Sequence, residues 1–297
     1  MFWNVLVGVD GRQGGRDAIA LARQLAAPQS TLTLGHVYGA DWFMGRGAGL
    51  AVAYEREATE QLLRSERTLA EVDAELDWAA FAPPARGLHE LAEERKADLL
   101  VVGSSRHALL GRVLLGDDAR AALDGAPCAI AIAPRGYLQS QHVLTKVGVG
   151  YDGSPESKHA LAAAHELAQQ HAAQISALHV VSLQDIREEQ PIPADWPATA
   201  EELVERARED LGRLDGVEAR AVYGGPREEL SRFSDRVDLL IVGSRGYGPV
   251  GRLMHGSVSR YLVGHVACPL LVLPRGAGRG VDAHAGHAAG TRVGADV

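Results

Sequence analysis

The chain has 297 residues, of which 46% are hydrophobic, and a formal net charge of −8. This length predicts two globular domains, and the acidic balance argues against a nucleic-acid partner because a nucleic-acid surface needs a concentrated basic patch. The two cysteines are too few for a disulfide framework and indicate a reducing compartment. No apolar run approaches the ~20 residues of a membrane span, and the N-terminus lacks the basic start of a signal peptide, so we expect a cytoplasmic protein without a membrane partner.

An internal repeat organises the chain. Four segments of the first half recur in the second half in the same order: NVLVGVDG (4–11) with KVGVGYDG (146–153), LTLGHVYG (32–39) with ISALHVVS (175–182), ADLLVVGSS (97–105) with VDLLIVGSR (237–245), and PCAIAIAPRG (127–136) with CPLLVLPRG (268–276). Self-similarity of this kind predicts two copies of one domain. We place the copies at residues 1–136 and 143–276 and take residues 135–144 as the linker.

The repeated segments are short, nearly continuous runs of apolar residues, which is the pattern of strands buried on both faces of a parallel sheet. Helical signals lie between them. Ser154 can cap a helix whose first residue is Pro155, and Thr199 and Glu202 have capping-box spacing. Strands that alternate with helices predict an α/β fold, in which each copy is an open, mainly parallel sheet of five strands with helices on both faces.

Three stretches are predicted to lack regular structure. Residues 38–53 and 182–198 both follow the second strand of their copy, and the later stretch is rich in proline. The tail, residues 277–297, is rich in glycine and alanine without an apolar period, so we expect it to be disordered. Its two isolated histidines, His284 and His287, make too weak a pattern to predict a metal site.

The sequence VGSRGYGPVGRLMHGSVS (242–259) has the components of an anion site. Gly243 ends a predicted strand, further glycines follow, and a helix is predicted from Ser257. Ligands bind at the carboxyl ends of parallel strands, glycine lets the backbone approach a phosphate, and a helix start offers N–H groups. The G-x-G-x-x-G match at 246–251 follows the wrong strand for a dinucleotide fold, and Arg252 stands where a P-loop has lysine, so we disfavour both of these motifs.

The spacing of Gly243, Gly246, Gly256 and Ser257 fits the pattern G-x2-G-x9-G-[S/T]. Together with the repeated strand segments, this motif resembles the ATP-binding kind of universal stress protein, and the resemblance extends over both copies. It implies a Rossmann-like fold akin to that of the adenine nucleotide alpha hydrolases.

The resemblance also implies a binding site for ATP, with or without Mg²⁺, in the second copy. The carboxylate of Asp152 would hold the ribose hydroxyls. The main chain beside the adenine would come from Gly150, Tyr151 and Val180. The residues expected to wrap the phosphates are Gly243, Arg245, Gly246, Gly256, Ser257, Val258 and Ser259. The sequence shows no dedicated protein ligand for Mg²⁺.

The first copy departs from the motif. Asp10, Gly103 and Gly116 keep the corresponding positions, but Arg106 replaces the second glycine and Asp117 replaces the serine. A carboxylate at a helix start suits the helix dipole and repels a triphosphate. We therefore expect one competent nucleotide site, in the second copy, and a degenerate site in the first.

By resemblance, the protein is a non-enzymatic sensor or regulator of a stress response, in which bound ATP alters the binding of unknown protein partners. The final strands, 129–133 and 270–273, would pair the two copies as a pseudo-dimer, and a further homodimer is compatible with this arrangement. Three alternatives stay open. The chain could be a slow ATPase or adenylyl-transfer enzyme, with His255 as its candidate base. It could be a nucleotide-free interaction scaffold, or the loop 243–259 and Asp152 could serve only a crossover and a turn.

Overall fold

The computed structural model describes residues 1–39, 48–81, 84–114, 124–140, 143–182, 199–244 and 256–274. The first half contains strands β1 (Phe2–Gly8), β2 (Ala26–Tyr38), β3 (Glu75–Ala80), β4 (Leu99–Gly103) and β5 (Ala129–Ala133), with helices α1 (Gln13–Leu25), α2 (Ala48–Leu69) and α3 (Pro84–Glu94). The second half contains strands β6 (Lys146–Gly150), β7 (Gln174–Val181), β8 (Val217–Tyr223), β9 (Leu239–Gly243) and β10 (Leu270–Leu273), with helices α4 (Pro155–His171), α5 (Ala200–Leu211), α6 (Pro226–Ser234) and α7 (Ser257–Leu262).

All the strands join one sheet of ten, in the order β3-β2-β1-β4-β5-β10-β9-β6-β7-β8. Within each half the five strands run parallel, as predicted from the apolar runs. The halves meet where β5 pairs antiparallel with β10, so that Leu271 lies opposite Ala131. The predicted pairing of the two final strands is therefore confirmed, and the repeat forms an intramolecular pseudo-dimer.

The sheet separates two large apolar cores, and successive side chains along a strand point alternately into one and the other. On β9, Leu239 and Ile241 pack on the face that carries α1 and α4. Leu240 and Val242 pack on the opposite face, which carries α3, α6 and α7. Because both faces are covered, the central strands are apolar throughout, and each buried leucine or valine contributes about 1.5–3 kcal/mol to stability.

The predicted helix starts are confirmed. The side chain of Ser154 accepts a hydrogen bond of 3.2 Å from the amide of Ser157, and Pro155 occupies the first turn of α4. Thr199 and Glu202 form both bonds of a capping box at the start of α5. These caps satisfy amides that an α-helix leaves without partners in its first turn.

One expectation about irregular segments needs correction, and the linker between the domains has more structure than its sequence suggests. Helix α2 already begins at Ala48, within the stretch 38–53 that was expected to be irregular, because its alanine, leucine and glutamate residues are strong helix formers. The linker, expected at 135–144, is packed against the first domain: Tyr137 is buried, and a 3-10 helix spans Leu138–Ser140. Among the described residues, no helix combines the length and the apolar character that crossing a bilayer requires.

Several predicted features lie outside the described residues. They are the irregular stretch from residue 183 to 198, the tail 277–297 with its two histidines, the glycine loop 245–255 and the positions of Gly116 and Asp117.

Candidate functional site

The candidate site lies at the carboxyl end of β6, between β9 and β7. After β6 the chain proceeds to β7 on one side, whereas after β9 it proceeds to β10 on the other side. Ligands of doubly wound sheets bind where the strand order reverses in this way. Gly150 ends β6 opposite Leu178 of β7, and Gly243 ends β9, so the structure brings the ends of these strands together.

The turn after β6 fixes the position of Asp152. Its carboxylate Oδ1 accepts a hydrogen bond of 3.0 Å from the amide of Ser154 and a second bond from the Ser154 hydroxyl. Gly153 has a φ of +80°, which favours glycine at this position. The carboxylate therefore has a defined turn-forming role, and its contact with ribose hydroxyls stays a prediction.

Ser157 was missed by the sequence analysis. It is buried in the first turn of α4, and its hydroxyl oxygen accepts a bond of 3.3 Å from the amide of Asp152. The same hydroxyl donates to the carbonyl of Ser154 at 3.0 Å. Its position in D-G-S-P-x-S, three residues after the capping serine, is the signal that could have identified it.

Gly243 is required by close packing at the end of β9. A Cβ atom at this position would lie 2.7 Å from the Cβ of Glu156 and 2.8 Å from its carbonyl oxygen, so only glycine lets the strand pass the start of α4. Gly150 is less tightly packed, with an added Cβ 3.2 Å from Leu230 and Val242. The packing at Gly243 thus supplies a reason for this glycine that does not depend on a ligand.

The residues predicted to contact adenine lie at the carboxyl edge of the sheet, where β6 and β7 end. Strand β7 continues past Leu178, the partner of Gly150, and places Val180 at the carboxyl edge of the sheet. The amide of Tyr151 donates to the carbonyl of Leu178 at 3.0 Å, so this N–H serves the sheet. The main-chain contacts to adenine that the resemblance implies stay a prediction.

The start of α7 supplies the second half of the motif. Gly256 is the N-cap residue, and no side chain caps the helix within the described chain. Ser257 is exposed, whereas Ser259 is buried and donates its hydroxyl to the carbonyl of Gly256 at 3.1 Å. Val258 packs against the core. Ser257 is therefore the better-placed hydroxyl for a phosphate, and Ser259 serves the helix; Arg245 and Gly246 lie outside the described residues.

The turn after β1 in the first copy repeats that after β6 but is covered. Asp10 accepts a bond of 3.0 Å from the amide of Arg12, and Gly11 has a φ of +74°. A Cβ on Gly11 would lie 3.1 Å from the side chain of Leu62 in α2, whereas one on Gly153 would meet no described atom within 4 Å. Among the described residues, the same turn is thus overlaid by a helix in the first half and open in the second.

The loop after β4, residues 104–114, also differs from an anion cradle. Gly103 packs against the first turn of α1, since a Cβ there would lie 1.9 Å from the carbonyl oxygen of Gly14. Loop amides that donate within the protein are those of Ser105, His107, Ala108, Gly111, Arg112, Val113 and Leu114. Because these N–H groups already have acceptors, they are not available to a phosphate. No group of three or more potential metal ligands occurs among the described residues.

Both halves of the chain match one family model. The model of the universal stress protein family covers residues 1–134 and 144–274. The chain belongs to the universal stress protein family. The predicted family is therefore confirmed, and the two matched segments make this chain a tandem universal stress protein.

Named relatives match either the whole chain or one of its domains. A universal stress protein of Mycobacterium tuberculosis is 29% identical over 295 residues, which cover 90% of this chain and 96% of that protein. A universal stress protein of Thermus aquaticus is 31% identical over 130 residues, which cover 42% of this chain and 95% of that protein. The longer match runs through both domains, and the shorter one corresponds to a single domain.

Solved structures have the same fold. A universal stress protein from Archaeoglobus fulgidus matches with a TM-score of 0.64 at 17% identity, covering 92% of this chain and 98% of that chain. A putative universal stress protein from Pseudomonas aeruginosa matches with a TM-score of 0.56 at 14% identity, covering 91% of this chain and 92% of that chain. These likenesses confirm the predicted α/β open-sheet fold.

Proposed function

We propose that this universal stress protein binds ATP in its second domain and acts as a non-enzymatic regulator in a stress response. The single observation that carries the proposal is the asymmetry between two equivalent turns: the turn at Gly153 is open among the described residues, whereas the turn at Gly11 lies under Leu62. The second copy also keeps Gly256 and Ser257, where the motif requires a glycine and a hydroxyl.

The groups at the proposed site suit binding. A carboxylate at Asp152 can accept bonds from two ribose hydroxyls, and the uncapped start of α7 can donate to phosphate oxygens. Mg²⁺ would be held chiefly by the phosphates and water, since ATP sites commonly supply few protein ligands to this ion. ATP occupancy would then favour one arrangement of the loop around the site and so change the affinity for a protein partner.

Nucleotide content and affinity test the proposal. Protein purified without added nucleotide is denatured, and the released adenine nucleotide is quantified; ATP is then titrated into the stripped protein by calorimetry, with and without Mg²⁺. We expect about one ATP per chain. Ser257→Asp should weaken binding at least ~10-fold, because it places a carboxylate beside the phosphates. Asp117→Ser, the reciprocal change, should add no second site, since the covered turn and the occupied loop amides stay.

Other outcomes would change the conclusion. Two nucleotides per chain would refute the asymmetry, and no binding at any concentration tested would leave a nucleotide-free scaffold. Steady-state release of phosphate well above background, abolished by His255→Ala, would favour the enzymatic alternative over a regulatory one.

A further inference from the structure

Loop 104–114 of the first domain, hereafter the strut, contacts the second domain directly. The amide of Val113 donates a hydrogen bond of 3.1 Å to the carbonyl of Val266, in the turn after α7. The side chains of Val113 and Val266 are both buried in the same core, together with Leu262 of α7. The strut is thus hydrogen-bonded to the turn that follows α7 and shares a core with Leu262, the last residue of that helix, which begins at Ser257 after its N-cap residue Gly256.

The strut is held firmly in its own domain. Arg135, just after β5, donates from Nη1 to the carbonyl of Ala108 at 2.8 Å and from its amide to the carbonyl of Arg112 at 3.2 Å. The amide of Gly111 donates in return to the carbonyl of Arg135 at 2.9 Å. A segment whose backbone groups are paired in this way offers a rigid support to the helix that rests on it.

An ion pair extends the same contact to the neighbouring helix. Nη2 of Arg112 lies 3.8 Å from Oδ1 of Asp235, at the carboxyl end of α6, and both side chains are about half exposed. Helix α6 is tied to the turn after α7, since the hydroxyl of Ser231 donates to the carbonyl of His265 at 2.6 Å. The strut therefore braces α6 and α7 together.

The repeat makes this ion pair one-sided. In the alignment of the two copies, Asp235 corresponds to Arg95. Arg95 forms ion pairs with Glu75 and Asp77 inside its own domain. Arg112 corresponds to Arg252 in the same alignment. The mirrored pair would therefore place Arg252 opposite Arg95, and two positive charges repel each other. The aligned charges therefore favour this ion pair in one direction, from Arg112 of the first domain to Asp235 of the second.

We propose that the strut is a positioning element: by holding the end of α7, the first domain keeps the start of that helix in the geometry that binds nucleotide in the second. Helix α7 has only six residues, about 9 Å of length, so its position is set by tertiary contacts rather than by its own stability. If the contact with the strut is lost at the carboxyl end of α7, the amino end of the helix also becomes less fixed. The site is then less preorganised, and ATP binds more weakly. This inference rests on the proposed function. It gives the first domain, whose own motif is altered, a role in positioning the proposed ATP site of the second domain.

Charge reversal across the contact tests the strut in the full chain. We expect Arg112→Glu to raise the dissociation constant for ATP about 5-fold, at the low end of usual coupling between sites. Asp235→Arg should have a similar effect, and the double variant should restore most of the affinity. Arg64→Glu is the matched control, because it breaks an exposed ion pair with Glu60 in the same domain without contact to α7, and it should leave ATP affinity unchanged.

Hydrogen exchange supplies a readout that does not need nucleotide. In the protein without ATP, peptides covering residues 256–266 should exchange faster in Arg112→Glu and in Val113→Ala than in wild type, with melting curves used to confirm that each variant is folded. In wild type, added ATP should slow exchange in residues 104–114, because coupling between two sites is reciprocal.

The outcomes separate the two claims. Unchanged exchange of residues 256–266 in both variants would overturn the strut, whether or not ATP binds. Faster exchange with unaltered ATP affinity would overturn its positioning role. A wild-type protein that binds no ATP would refute the proposed function and the link to nucleotide, while the exchange comparison would still decide whether the first domain braces α7.

Discussion

Asp17 of α1, fully buried, accepts a hydrogen bond of 2.8 Å from the backbone amide of Gly136, which lies 119 residues further along the chain. Its other oxygen accepts a bond of 3.0 Å from the amide of Leu138. One carboxylate thus anchors the start of the connection between the two domains, and this explains why the connection is packed rather than free.

Removal of this carboxylate should destabilise the protein. We expect Asp17→Ala to lower the free energy of unfolding by about 3 kcal/mol, because two backbone amides lose a charged acceptor. Asp17→Asn keeps one acceptor oxygen and should cost roughly half as much. Asp73→Asn, at an exposed position between α2 and β3 of the same domain, should change the value by less than about 0.5 kcal/mol. Urea unfolding measures all three, and equal midpoints for the Asp17 and Asp73 variants would show that the buried bonds contribute nothing.

The strand-end glycines should differ in their tolerance of a methyl group. An added Cβ would lie 1.9 Å from backbone at Gly103, and at Gly243 it would lie 2.7 Å from a side-chain atom and 2.8 Å from backbone, whereas at Gly39 it would meet no described atom within 4 Å. Overpacking typically costs about 1–3 kcal/mol, and more where backbone must move. We therefore expect Gly103→Ala to be the most destabilising, Gly243→Ala intermediate and Gly39→Ala near neutral in urea unfolding. A neutral Gly243→Ala would contradict the packing and leave ligand approach as the reason for glycine.

These two cases also show what the sequence could and could not predict. Continuous apolar runs, the cap at Ser154 and the repeat itself are local or periodic signals, and they predicted the strands, the helix start and the two copies of one domain. The pairing of β5 with β10 was implied by the family resemblance rather than by these signals. The bond from Gly136 to Asp17 could not be predicted, because it joins residues far apart in the chain and a buried aspartate in a helix has no local signature. Gly243 was predicted as a phosphate contact, but its approach to Glu156 becomes visible only when β9 and α4 are packed together.

The candidate site shows the same difference between local sequence signals and contacts that depend on the fold. Motif spacing predicted Ser257 and Ser259 alike as site residues, and it could not show that the Ser259 hydroxyl is buried and bonded to the carbonyl of Gly256. It also suggested that the first copy is degenerate, from the substitutions at Arg106 and Asp117. The contact of Leu62 with the Gly11 turn is a further difference between the two copies; it depends on the path of α2, and no spacing rule encodes it.

Matched substitutions at the two equivalent aspartates should affect nucleotide binding differently. Asparagine keeps an oxygen that can accept the turn bond at either position, so the fold should be retained, but it lacks the negative charge that strengthens bonds to ribose hydroxyls. We expect Asp152→Asn to weaken ATP binding about 10- to 100-fold and Asp10→Asn to leave it unchanged. Calorimetric titration measures both. Equal losses of ATP affinity at the two positions would indicate that each domain binds nucleotide. No loss at either position would indicate that Asp152 serves only to form the turn.

Both cysteines should be unreactive in the folded protein. Cys128 and Cys268 are buried, and burial raises the pKa of the Cys128 thiol to about 12 and that of Cys268 further still. The thiolate is the reactive form, so alkylation at pH 8 should be slow in native protein and rapid in urea. Mass spectrometry after timed exposure to iodoacetamide measures this. Rapid native modification of either residue would show that the strand ends around the β5–β10 junction open frequently.

His159 on α4 should make stability depend on pH. Burial lowers the pKa of this imidazole below its usual value near 6.5, and the positive N-terminus of the chain lowers it further. The unfolded chain therefore binds a proton more readily than the folded one does. The stabilisation is complete above about pH 6.5 and is lost as the pH falls through the lower folded pKa.

Replacement of His159 by glutamine removes this titration. We expect the free energy of unfolding of wild type to fall between pH 7 and pH 5 more steeply than that of His159→Gln, as measured by urea titrations at half-unit intervals. Lys158→Gln, at the neighbouring exposed position of the same helix, controls for a change in the helix surface and should follow the wild-type profile. Parallel profiles for wild type and His159→Gln would show that the imidazole ionises equally well in the folded and unfolded chains, and the slope would then have to come from the carboxyl groups.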